Sequence, residues 1–288
     1  MKFTNSLLPA DLREKVIEKL AINADPENTT AGLNAIYQAW VMKIPYDNLR
    51  KRIIKHHYPE ETPAPISAER FFNDWLNDGI GGTCWEMQEA LYCLLSDLHF
   101  STRFVLASVH QGDFQRTPYN HGTLVVAAED DSLLFDPSLM LGQPLPLRSH
   151  SVMHPTWRSE MQRADRGWCV RWQPLCHPPV ECYLLQLNAS HAEVRRQRLL
   201  ATGSGDHPFN AASYLRLMRD DTILGLVQGE QVIRQADGDE RRQPLSRQQQ
   251  LRLLIDELGV SERLAVQIPP DRPKESHSGP RSATICSA

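Results

Sequence analysis

The 288-residue chain has no apolar run near the roughly 18 residues that a membrane-spanning helix needs, so a span is excluded. Its N-terminus, Met1 to Asp11, carries one basic residue and a short apolar patch. It lacks the longer apolar core and small-residue cleavage site of a secretory signal, so the chain is expected to be cytoplasmic. Basic charge is not in excess: 31 Lys and Arg stand against 35 Asp and Glu, a formal net charge of −4. Nonspecific nucleic-acid affinity comes from Lys and Arg neutralising phosphates, so that partner class is excluded. Cysteine is scarce and irregularly spaced, with six residues at 84, 93, 169, 176, 182 and 286. In a reducing compartment these are expected to be free thiols. What remains is ordinary for a soluble protein: 41% hydrophobic residues, enough for real cores, and 23% charged ones. The local run Arg50-Lys51-Arg52 with Lys55 reads as a solvated helix face.

The first hundred residues have helical periodicity. Leu12, Val16, Ile17 and Leu20 share one face, and Asn28-Thr29-Thr30 caps a second helix with Leu33, Ile36, Tyr37 and Trp40. That helix stops near Ile44-Pro45, because proline cannot continue it. Ser67 starts a third, with Phe71, Phe72, Trp75 and Leu76 on one side, and Asp78-Gly79-Ile80-Gly81-Gly82 breaks it. From about Arg103 the pattern alternates. Arg103 to Val109, His121 to Ala128, Leu133 to Asp136, Trp168 to Trp172 and Glu181 to Leu187 read as strands of a small barrel or sandwich. Farther on, Ile223 to Ile233 reads as a hairpin turning at Gly229-Glu230, and Ser246 to Leu258 as a helix closed by Gly259. The tail beyond, polar and rich in Pro and Ser, is expected to be disordered.

Chemistry concentrates at Gly81-Gly82-Thr83-Cys84-Trp85-Glu86. Thr83 followed by Glu86 is a capping box, which puts Cys84 at the first position of a helix. Unpaired N–H groups and the helix dipole favour negative charge there, and thiolate is the nucleophile. The two glycines are expected to keep the space above Cys84 open to a carbonyl. A nucleophilic cysteine needs a base and an orienting group. His121 opens one strand and Asp136 closes the next, with Glu129 to Ser132 as the turn. That turn pairs Asp136 with Val125, on the same face as His121, but leaves the two about 13 Å apart at about 3.3 Å per residue. A bulge, strong twist or different register has to close the gap.

Several segments taken together resemble the arylamine N-acetyltransferase family. Ile44-Pro45-Tyr46-Asp47-Asn48-Leu49 is similar to its Ile-Pro-Phe-Glu-Asn-Leu stretch, and Gly81 to Glu86 to its Arg-Gly-Gly-x-Cys-x-Glu motif. His121 ahead of an apolar strand, with Asp136 after it, resembles the family's His and Asp placement. Gly167 to Trp172, Tyr183 to Leu187 and Leu251 to Val260 look like its later strands and closing helix. The resemblance covers residues 5 to 265. It implies an α+β fold with a cysteine-protease/transglutaminase-like core. A helical domain (1–100) would carry the nucleophile, followed by an antiparallel β-barrel (101–190), an α/β lid (191–265) and a tail (266–288). It also implies Cys84, His121 and Asp136 as a catalytic triad. Acetyl would pass from acetyl-CoA, a co-substrate and not a tightly bound cofactor, to an arylamine, hydrazine or N-hydroxyarylamine through an acyl-cysteine. The partners implied are thus an acyl-CoA and a small amine. Three departures border the cleft. Ile80 stands where the family usually has Arg, so Glu86 lacks that partner; Gln88 replaces Asn; and Pro137-Ser138-Leu139-Met140 replaces Val-Gly-Phe-Gly.

Three other readings stay open beside this one. An amide synthase would take a long acyl thioester from an acyl-carrier protein. A transglutaminase-like hydrolase would turn the same triad on peptides, and a degenerate relative would only bind. Cys169, Cys176, His177 and Cys182 are too widely spaced for a typical zinc site, so no metal is expected. Cys93 reads as packing, His56-His57 and His150/His154 as solvated loops, and Trp85 and Phe104 as core.

Overall fold

A computed structural model describes residues 6–110, 119–129, 131–165, 167–202 and 212–271. The N-terminal layer is helical. Helix α1 (Ala10–Leu20) buries Leu12, Val16 and Leu20. Helix α2 (Thr30–Lys43) begins at Thr29, whose hydroxyl accepts the Gly32 N–H at 3.0 Å, and ends at Ile44 ahead of Pro45. A two-residue strand β1 (Tyr46–Asp47) and helix α3 (Leu49–His57) follow. Ser67 caps α4 (Ala68–Asp78), and Gly79 ends it at φ 69°. Trp40 of α2 stacks on Phe71 of α4 at 5.8 Å and meets Phe72 edge-on at 5.9 Å. Helix α5 (Cys84–Asp97) is buried on almost every side.

Eight strands form the second layer: β2 (Ser101–His110), β3 (His121–Ala128), β4 (Asp131–Phe135), β5 (Leu145–Pro146), β6 (His150–Val152), β7 (Ser159–Ala164), β8 (Gly167–Trp172) and β9 (Val180–Ala189). They pair antiparallel in the order β5-β4-β3-β2-β9-β8-β7-β6, an arrangement that curls into a barrel-like sheet. Val105, Ala107, Val125, Leu134, Met161, Val170 and Leu184 fill its interior. The opposite faces of β2 to β4, with Phe104, Leu106, Leu124, Val126 and Phe135, join the helical core. Burial on both faces is why these strands are apolar almost without interruption.

The third layer holds helix α6 (His191–Thr202) and strands β10 (Tyr214–Arg219), β11 (Thr222–Val227), β12 (Glu230–Arg234) and β13 (Glu240–Pro244). Strand β1 pairs with β10 and so becomes an edge of this five-stranded sheet. A helix at Arg247–Arg252 runs on as a π-helical turn, Leu253–Glu257, and Leu253, Leu254 and Leu258 pack beneath the sheet. Among the described residues no helix is long and apolar enough to cross a membrane.

Three local expectations are corrected. The hairpin turns at Gln228-Gly229, not Gly229-Glu230: Val227 pairs with Glu230, and both turn residues have positive φ, 52° and 83°. The basic run on α3 is not a solvated face. Arg50 bonds Asp74 at 2.6 Å, Lys51 lies 3.4 Å from Glu86, and Arg52 bonds Asp271 at 2.9 Å. Nor does packing stop at residue 265. Ile268 is buried, and Asp271 also accepts the Ser213 N–H at 2.9 Å, so the packed chain reaches residue 271. The rest of the expected tail, with Cys286, lies outside the described residues.

Candidate active site

Cys84 occupies the first position of α5, and the Glu86 carboxylate receives the Thr83 N–H at 3.0 Å and the Thr83 hydroxyl. The loop before it is tightly packed. Asp47 accepts the Gly81 N–H at 2.6 Å and the Leu49 N–H at 3.0 Å. A Cβ on Gly81 would fall 2.0 Å from the Pro45 carbonyl oxygen, and one on Gly82 2.8 Å from the Glu86 Cβ. The glycines are therefore needed for close packing against the Pro45 carbonyl and α5. Burial pushes the Asp47 carboxyl up to about 6 despite nearby Arg50.

His121 and Asp136 meet. Strands β3 and β4 pair Ala128 with Asp131 and Leu124 with Phe135, so only residues 129 and 130 intervene. The expected longer turn is thus corrected by two residues, which brings Asp136 level with Thr123 instead of Val125. The shift is even, so Asp136 keeps the His121 face. His121 Nε2 bonds Asp136 Oδ2 at 2.7 Å, and both side chains are at least 95% buried. The other ring nitrogen, Nδ1, is not engaged by Asp136, and Cys84 stands close enough to the ring to influence its charge. Burial alone would lower His121, but the Asp136 carboxylate and Cys84 raise it to about 10. Burial would raise Asp136, but His121 and Ser138 hold it below the usual carboxylate range.

Helix α5 reaches β3 because residue 122 is glycine. A Cβ there would lie 2.3 Å from Gln88 Oε1 and 2.6 Å from the Trp85 ring. Gln88 Nε2 donates to the carbonyls of Thr123 at 2.7 Å and Val105 at 3.3 Å. One amide thus ties the cysteine helix to the histidine strand and its neighbour. Tyr46, buried in β1, stands close enough to Cys84 to feel a charge on its sulfur.

Glu86, expected to lack a cationic partner at position 80, finds two elsewhere. Ile80 is buried in the apolar core beside α3. Lys51 Nζ lies 3.4 Å from Glu86 Oε1 and donates to Thr83 Oγ1 at 2.8 Å. Arg198, buried in α6, adds a second positive charge. Burial opposes ionisation of Glu86, yet Lys51, then Arg198 and the Thr83 hydrogen bond bring its carboxyl down to about 2. Reading the sequence missed the roles of Lys51, Arg198 and Asp47, and of Arg216 in β10, whose guanidinium donates to the Ser138 carbonyl just after Asp136. The unusual Ile80 signalled only that Glu86 needed a partner, not which residue supplied it. Cys93 is buried in α5, and Phe104 stacks with Tyr92 at 4.2 Å in the core. Cys169 pairs across strands with Tyr183 and Cys182 lies inside the barrel; no group of three potential ligands holds a metal geometry among the described residues.

Comparison with known proteins bears on this geometry. The family model described as N-acetyltransferase matches residues 29–260. A Bacillus subtilis protein described as the uncharacterized acetyltransferase YvcN is 24% identical over 137 residues, 45% of this chain and 51% of the relative. The match therefore spans about half of that relative's length. Among solved structures, the arylamine N-acetyltransferase of Mycobacterium abscessus superposes with a TM-score of 0.74 at 17% identity, covering 88% of this chain and 92% of that one. That of Salmonella typhimurium gives 0.73 at 17% identity, covering 90% and 98%. A Bacillus cereus arylamine N-acetyltransferase, described as having a unique Cys-His-Glu triad, gives 0.69 at 17%, covering 88% and 100%. At such identity these likenesses establish the shared fold alone.

Proposed function

For this chain, which belongs to the N-acetyltransferase family, we propose acetyl transfer from acetyl-CoA to an arylamine, hydrazine or N-hydroxyarylamine by a ping-pong route through Cys84. The observation that carries the reading is the buried His121–Asp136 bond of 2.7 Å, with Cys84 at the start of α5 near enough to the imidazole to raise it further. A ring held as imidazolium gives an anionic sulfur its counter-charge. Asp136 fixes the ring orientation and stabilises that cation, as the third member of such triads does.

In the first half-reaction Cys84 Sγ attacks the acetyl carbonyl carbon, and a C–S bond forms. The N–H groups of Cys84 and Trp85 sit in the first turn of α5, where the helix itself offers no acceptor. They are suited to hold the oxyanion as it develops. The carbonyl re-forms, the bond to the CoA sulfur breaks, and the departing thiolate takes the His121 proton. In the second half an amine attacks the acetyl-cysteine while neutral His121 accepts its proton. Collapse expels Cys84 as thiolate beside the imidazolium, which restores the starting state.

The experiment is incubation with a panel of acyl-CoAs and intact mass measurement, followed by mapping of the modified peptide. A stoichiometric acetyl on Cys84, released on adding an arylamine and absent from Cys84→Ala, is the expected result. No adduct with any acyl-CoA defeats the reading. Acylation only by a carrier-bound thioester moves the chain to amide synthesis.

A further inference from the structure

Behind Asp136 the chain makes a short 3₁₀ turn, Pro137–Leu139, and leaves it through Met140 in the left-handed region, φ 54°. The turn is fastened from three sides. Asp136 Oδ1 accepts the Ser138 N–H at 3.0 Å and the Ser138 hydroxyl at 2.6 Å. From α2, the Tyr37 hydroxyl donates to the Asp136 carbonyl at 3.2 Å and accepts the Leu141 N–H at 2.9 Å. From β10, the Arg216 guanidinium donates to the Ser138 carbonyl. Arg216 is 6% exposed, lies 4.6 Å over the Tyr46 ring and 5.4 Å from the Tyr214 ring, and its Nε has no acceptor among the described residues. Its position is thus set by the two rings and one carbonyl, not by a carboxylate.

We propose that Ser138, locked by Arg216, is a positioning residue: its hydroxyl is a fourth link behind Cys84, His121 and Asp136. The proposal rests on the acyl-cysteine reading above. With Oδ2 on His121 and Oδ1 on Ser138, the carboxylate cannot rotate without breaking a hydrogen bond. Donors on a carboxylate also favour its charged form, which in turn holds the imidazolium. The titratable groups facing Asp136 are His121 from β3, Tyr37 from α2 and Cys182 from β9, with Arg216 behind the turn. Through Arg216 of β10, the third layer of the fold bears on the site.

The test compares Ser138→Ala, Ser138→Thr, Arg216→Gln and Arg216→Lys in the full chain. One readout is the rate of Cys84 alkylation by iodoacetamide against pH, mapped to the peptide, which needs no acyl donor. The other is kcat and KM for acetyl-CoA. Ser138→Ala is expected to lower alkylation below neutrality and kcat by about tenfold, as loss of a hydrogen bond to a charged group implies. Its acid limb should move to higher pH while KM stays within about twofold, since nothing touching the donor changes. Ser138→Thr, which keeps the hydroxyl, should recover most of the loss; Arg216→Gln should follow Ser138→Ala and Arg216→Lys fall between. Thermal melting separates a loss of fold from a loss of positioning. Wild-type alkylation profiles in Ser138→Ala, with unchanged kcat, overturn the proposal. A shifted alkylation profile in a chain that accepts no acetyl group overturns the acetyl-transfer reading instead, and leaves the relay standing.

Discussion

Replacing Lys51 with Met tests whether α3 supplies the charge that position 80 lacks. Lys51 Nζ lies 3.4 Å from Glu86 Oε1, with the side chains 16% and 3% exposed. At an effective dielectric constant of about 20, the gross attraction at that separation is roughly 5 kcal/mol. Desolvation of the ammonium cancels part of it, and Arg198 still faces Glu86 after the change. The net loss should be about 2 kcal/mol, or about 4–8 °C in Tm for a protein of this size. Denaturant unfolding of wild type, Lys51→Met, Glu86→Gln and the double variant closes a cycle that isolates the pair. The coupling is expected to be about 1–2 kcal/mol. The pH dependence has a fixed sign. Glu86 is depressed from 4.5 to about 2, so its contribution is complete above pH 4.5 and is lost as pH falls towards 2. The gap between wild type and Lys51→Met should therefore be constant from about pH 5 to about pH 7 and close on acidification. A coupling below about 0.5 kcal/mol refutes the assignment of Lys51 as the replacement cation.

Gly122→Val should separate helix from strand. Its Cβ would start 2.3 Å from Gln88 Oε1 and 2.6 Å from the Trp85 ring, so α5 must move away from β3. Overpacking of this kind costs about 1–3 kcal/mol, and Cys84 alkylation should slow well beyond that loss of stability; unchanged alkylation in a folded variant contradicts the close approach. His121 sets an alkaline limit. Its titration is raised from 6.5 to about 10, so its stabilising contribution is complete below pH 6.5 and lost as pH rises through about 10. Wild type should lose stability over that window faster than His121→Gln, as read by urea melts at a series of pH values. Parallel curves argue against the buried imidazolium.

Local signals in the chain reach as far as the elements and the chemistry of the site. Thr29 and Ser67 are helix caps whose hydroxyls bond the turns that follow, and both are visible as side-chain types before helical periodicity. Thr83 with Glu86 places Cys84 at a helix start because a capping box is a four-residue pattern. The face shared by His121 and Asp136 is legible too, because strand side chains alternate and an even error in register preserves the face. Their separation is not legible that way. It depends on which residues of Glu129 to Ser132 form the turn, and composition alone does not choose between a two-residue and a four-residue loop.

Contacts between residues far apart in the chain were out of reach for a different reason. A basic residue on an amphipathic helix looks the same whether it meets water or a buried carboxylate. Lys51 finds Glu86 and Arg52 finds Asp271 only once α3 is docked between α5 and the C-terminal segment. Arg216 touches the turn after Asp136 only because β1 pairs with β10, which carries the third layer to the mouth of the barrel. The sequence by itself determined that Cys84 starts a helix and that His121 and Asp136 share a strand face, since each rests on residue type and short-range spacing, while the family and the proposed triad came from resemblance to known motifs. Tertiary structure alone decided how those three meet and which distant charges hold them, because chain closure sets those distances and no local pattern records it.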